Sequence, residues 1–77
     1  MNSNTQYLIE GISKDIIAYL MEDYKIDIIE SISIFHNSET FEKLSDENTG
    51  LYIDSSAYVY EILQSEIQIT VEGRTTS

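Results

Sequence analysis

Between Tyr7 and Tyr24 the apolar residues Leu8, Ile9, Ile12, Ile16, Tyr19, Leu20 and Tyr24 recur at steps of three and four, while Glu10, Lys14, Asp15, Glu22 and Asp23 take other positions. Such steps bring side chains to one side of an α-helix, so residues 7–24 are predicted to form an amphipathic helix whose apolar stripe other elements must cover. Gly11 interrupts the helix at a cost of about 1 kcal/mol relative to alanine. A close approach of a second helix would explain it, but simple tolerance is the favoured reading. The cover must come from packing, because the chain has no cysteine and so neither disulfides nor thiolate-held metal. The lack of cysteine suits a reducing cytoplasm.

The rest of the chain supplies candidates for that cover. In YKIDIIESISIFHNS, Asp27 followed by Glu30 has capping-box spacing, so a second helix is expected over 27–36. Its inner stripe is expected to be Ile28, Ile29, Ile32 and Phe35. Five isoleucines in nine residues also suit a strand, but the capping pair decides for helix. Asn37 or Ser38 can cap a two-turn helix near 38–45 that carries Phe41 and Leu44, with Glu39 in its first turn. A polar turn then ends at Gly50, and Leu51 to Ile53 reads as an extended connector. Asp54, Ser55 or Ser56 can cap a last helix over 55–66 with Val59, Ile62, Leu63 and Tyr58 inward. From Ile67 the period changes to two, Ile67, Ile69 and Val71 alternating with polar residues. That segment reads as a frayed tail or as a strand donated to another chain's sheet edge.

The expected architecture is therefore all-α. A compact three-helix domain with a short extra helix would occupy residues 7–66, between a disordered N-terminus over 1–6 and an extended or disordered tail over 67–77. A chain of 77 residues buries only about 60% of the surface its unfolded form exposes, so its own stability should be modest and a partner or a dimer could add to it. The stretch MNSNTQYLIEG lacks the basic segment and apolar run of a signal peptide, and Ile16 to Met21 is too short to span a bilayer. Neither export by that route nor a membrane location is expected.

Fourteen acids against four cations give a formal charge of −10. The cations, Lys14, Lys25, Lys43 and Arg74, are separated along the chain, which argues against direct phosphate or nucleic-acid binding. A basic partner surface would be attracted at long range, although acids also serve solubility alone. Catalytic material is scarce. His36 is the sole histidine, placed where a helix ends and where a cationic imidazole would favour the dipole and the last carbonyls. Serines 38, 45, 55 and 56 stand in capping contexts. Aligning Gly50 with the glycine of an EF-hand loop leaves Ser56 where the bidentate glutamate belongs, so that match fails. The three glycines stand too far apart for a phosphate-binding loop. No enzyme, cofactor or metal is expected.

A binding module remains. Tyrosine offers a large amphipathic contact area with few rotatable bonds. Tyr60 points about 200° from Tyr58 on a helix, so Tyr58 is expected to close the core while Tyr60, with Tyr52 on the connector, faces outward. The expected partner-binding residues are Tyr52, Asp54, Tyr60 and Glu61, an aromatic patch rimmed by acids.

The pattern N-S-x-T-F-x-K-L-x-D-x-x-T-G-L-Y-x-x-S-x-x-Y-V-Y-x-x-L, from Asn37 to Leu63, and the L-M-E-D-Y segment, from Leu20 to Tyr24, resemble a family of small uncharacterised bacterial helical proteins. Its members look like the small partners in toxin-antitoxin cassettes, and the family has no established activity. The resemblance implies an antitoxin-like module that neutralises or positions a toxin-like protein. The chain departs from the pattern at His36, where an aromatic residue is expected, and past Glu66. Two other readings stand beside it: an acidic nucleic-acid mimic occupying the basic groove of a nuclease or DNA-binding protein, and a structural homo-oligomer.

Overall fold

The computed structural model describes residues 3–76, with side-chain environments for residues 4–68. It is all-α: α1 (Ser3–Tyr24), α2 (Ile28–His36), α3 (Glu39–Ser45), two single-turn 3₁₀ helices at Glu47–Thr49 and Leu51–Ile53, and α4 (Ser56–Thr76). Among the described residues there is no strand.

The amphipathic helix is the spine. Ile9, Ile12, Ile16 and Leu20 of α1 are buried, and they meet Phe35 of α2, Leu44 of α3, Leu51, and Val59 and Leu63 of α4 in one core. Lys25, at φ 56°, takes the left-handed conformation that reverses the chain after α1. α2 then runs back along α1: the buried Ser31 hydroxyl donates to the Ile17 carbonyl at 2.8 Å. On the other side α4 runs with α1. The Ser56 hydroxyl donates to Asp15 at 2.6 Å, the Tyr60 hydroxyl donates to Asp23 at 2.6 Å, and the Tyr60 ring lies 5.0 Å from that of Tyr19.

Three of the α-helices, α2, α3 and α4, start on a local side-chain cap. Asp27 accepts from the Glu30 N–H at 2.8 Å, Ser38 from the Phe41 N–H at 3.1 Å, and Ser55 from the Tyr58 N–H at 3.2 Å. These side chains satisfy N–H groups that have no partner inside their own helix. Ser38 also donates to the Phe35 carbonyl at 2.6 Å, so one hydroxyl closes α2 and opens α3.

Several sequence expectations are corrected. α1 begins at Ser3 rather than Tyr7, with Thr5 buried, so residues 3–6 are ordered helix; residues 1 and 2 lie outside the described part. Leu51–Ile53 is a 3₁₀ turn rather than an extended connector. Gly50, at φ 67°, links the two turns, a conformation that an L side chain takes only under strain.

The expected extended tail from Ile67 is instead helix to Thr76, with Ser77 outside the described residues. An isolated strand would leave its backbone groups without partners, whereas continuing α4 pairs them within the chain. Ile67 also packs against the core.

The inner face of α2 differs as well. Ser31 and Phe35 are buried and Ile34 packs on the core, while Ile28 and Ile29 are 52% and 72% exposed.

Candidate interaction surface

Of the four residues expected to contact a partner, Asp54 and Glu61 are exposed. Tyr52 and Tyr60 are half-buried and pack against the core. Tyr58, expected inside, is 49% exposed. Helix phase explains the exchange. At about 100° per residue, Tyr60 lies about 60° from the buried Leu63 and Tyr58 about 140° from it. The Asp23 carboxylate then holds the Tyr60 hydroxyl at the edge of the core. Burial first, and the bond to Asp23 second, push the Tyr60 phenol above its usual pKa, against a lowering contribution from Gln64.

Tyr60 and Glu61 line a shallow depression with Gln64 and Ser65, of about 540 Å³, whose walls include neither Tyr52 nor Asp54. Exposed apolar area in this region comes instead from Ile53, 73% exposed, and Tyr58.

The sequence reading did not single out the surface around α2. Ile28 and Ile29 stand open between the exposed acids Asp27 and Glu30. At the far end of the helix the exposed His36 ring lies flat on Phe41, with centroids 4.5 Å apart and an interplanar angle of 18°. The expectation that His36 serves the last carbonyls of α2 gives way to other donors: the Asn37 side chain bonds the Ser33 carbonyl at 2.8 Å and Ser38 the Phe35 carbonyl. His36 and Phe41 form one wall of a groove of about 620 Å³ between α1 and α3, lined also by Gln6, Ile9, Glu10, Ser13, Lys14, Ile17 and Ser45. Ser13 and Ser45 share this groove with the histidine.

Many of the acids have structural work. Asp15 and Asp23 fasten α4 to α1, Asp27 caps α2, and Asp46 accepts from the Asn48 N–H at 2.9 Å. Glu66 accepts from the Glu39 and Thr40 N–H groups, each at 2.9 Å, and from the Thr40 hydroxyl at 2.7 Å. Burial raises the Glu66 carboxyl, but the Thr40 hydroxyl, the two N–H donors and the Lys43 charge outweigh it and hold the group below its usual value. The clue in the sequence is the spacing Val59, Leu63, Glu66, which places an acid on the core-facing stripe of α4.

Among the described residues no group of three or more His, Asp or Glu side chains is placed to hold a metal ion, and no helix is long and apolar enough to cross a membrane. No family model matches the chain, and no curated protein or solved structure matches it.

Proposed function

We propose that this chain is a non-enzymatic, acidic protein-binding module that neutralises or positions a partner with a basic surface, in the manner of an antitoxin. The observation that carries this reading is the exposure of Ile28 and Ile29, 52% and 72%, between Asp27 and Glu30 on a chain of net charge −10. Large aliphatic side chains held open on an ordered helix gain by being covered. The surrounding charge selects a cationic cover and speeds its approach.

The four residues named from the sequence contribute unequally to this reading. Asp54 and Glu61 are available to a partner, whereas Tyr52 and Tyr60 serve the fold first. The nucleic-acid mimic loses ground because Asp15, Asp23, Asp27, Asp46 and Glu66 accept hydrogen bonds within the chain.

The test is affinity purification of the tagged chain from the cell that produces it, in parallel with the Ile29→Ser variant. The reading expects a basic protein that the parent chain retains and the variant loses, with binding only moderately weakened by salt. Binding that collapses with salt but ignores the substitution would support the mimic instead. A chain that retains no protein, or sediments as a discrete oligomer, would overturn the reading.

A further inference from the structure

On the α2 helix, at about 100° per residue, Ile34, Ser31, Phe35, Ile28, Ile32 and Ile29 fall in that order on an arc of about 220°. A helix buried on one side needs an apolar stripe of only about 100°. The core occupies the half that runs from Ile34 through Ser31 to Phe35. The other half, Ile28 to Ile29, faces away from it, with Ile32 half-buried between them. α2 thus carries apolar residues on two sides, and among the described residues only one of those sides is covered.

The second half continues beyond the isoleucines. His36 follows Ile29 by seven residues, which returns it to the same side of the helix, and His36 is also a wall of the groove that holds Ile9, Ile17 and Phe41. Ile29, Ile32 and His36 therefore lead along α2 into an apolar trough flanked by Glu10, with Lys14 the one cation that lines it.

We infer that this stripe and trough form one docking channel, and that its occupant is a basic amphipathic helix of a protein partner. The inference rests on the protein-binding reading above and names the partner's class. Anchors at steps of three, four and seven residues are those a helix presents to a groove. Strand addition is disfavoured because no strand edge exists among the described residues. A second copy is disfavoured because each copy carries −10 and like charges oppose the encounter. Cationic side chains flanking the partner's apolar stripe would meet Asp27, Glu30 and Glu10 at the rim.

The test titrates the full ¹⁵N-labelled chain with three synthetic peptides: an amphipathic Leu/Lys helix, a scrambled peptide of the same composition with no apolar face, and the amphipathic helix with Glu in place of Lys. The expected result is binding of the first alone, with shifts centred on Ile29, Ile32, His36 and Ile17. The doubly substituted chain Ile29→Ser, Ile32→Ser should bind at least tenfold more weakly while its circular dichroism spectrum is unchanged. Equal binding of the scrambled peptide, shifts centred elsewhere, or self-association through this face would each overturn the inference. A native partner that Ile29→Ser loses, combined with no peptide binding at the stripe, would leave the protein-binding reading standing and reject the helix as occupant. A native partner indifferent to Ile29→Ser would reject both.

Discussion

The Glu66 carboxylate, midway along α4, accepts hydrogen bonds from both the N–H and the hydroxyl of Thr40 in the first turn of α3, at 2.9 and 2.7 Å. Ser38 serves the Phe41 N–H and Glu66 serves those of Glu39 and Thr40, so a seven-residue helix too short to persist alone has its opening turn capped from two directions. Loss of the charge in Glu66→Gln should cost about 1 kcal/mol at neutral pH, the usual size of a cap. Because the folded carboxyl titrates below its unfolded value, its contribution is fully present above the unfolded pKa and is lost as pH falls through the folded one. Urea titrations of parent and variant should therefore differ at pH 7 and converge in acid.

Tyr60 and Tyr58 separate packing from exposure on the same helix. Tyr60→Phe removes the hydroxyl that Asp23 holds and should cost about 1 kcal/mol. Tyr60→Ala also removes the ring packed on Tyr19 and should cost roughly 2–3 kcal/mol. Tyr58→Ala, at an exposed position, should stay within about 0.5 kcal/mol of the parent. Thermal melts of the three variants check the order, and a larger loss for Tyr58→Ala would restore it to the core.

The legible part of the sequence was the local part. The spine of α1 follows from the spacing of Ile9, Ile12, Ile16 and Leu20, and the caps at Asp27, Ser38 and Ser55 act within three residues of themselves. What the sequence hid depends on where elements meet. On α2 apolar residues fill both halves of the arc, so periodicity alone does not tell which half the core takes; a buried serine, bonded to the Ile17 carbonyl, marks it. Tyr58 and Tyr60 both border the stripe of Val59 and Leu63, and the choice between them rests on Tyr19 and Asp23 of another helix. Glu66 caps a helix that begins 27 residues earlier. The alternation from Ile67 onward signalled a strand, but it was overridden by the continuation of a helix already formed. Of the residues named as partner contacts, Asp54 and Glu61 are exposed and Tyr52 and Tyr60 are half-buried, while Ile28 and Ile29, which the sequence pointed inward, are exposed.

Two glycines should respond in opposite senses. Gly11 is exposed in the middle of α1, and a Cβ there would meet nothing within 4 Å. This matches tolerance rather than a close helix approach. Gly11→Ala should stabilise the chain by about 0.5–1 kcal/mol. Gly50 has equal room, but its φ is +67°. Gly50→Ala should therefore destabilise by about 1–2 kcal/mol through backbone strain alone. Denaturation midpoints that move the same way for both would refute this assignment.

The two halves of α2 give a direct mutational contrast. Phe35 is fully buried, stacked edge-on against Phe41 at 5.2 Å, so Phe35→Ala should cost about 3–5 kcal/mol, enough to unfold much of a domain this small. Ile29, about 120° around the helix from Phe35 yet equally apolar, is 72% exposed. Serine and isoleucine differ little in helix propensity, so Ile29→Ser should change stability by less than about 0.5 kcal/mol in the isolated chain. A melt that drops as far for Ile29→Ser as for Phe35→Ala would place both isoleucine faces in one core and remove the open stripe. Unchanged stability means that the isoleucine does little for the fold of the isolated chain.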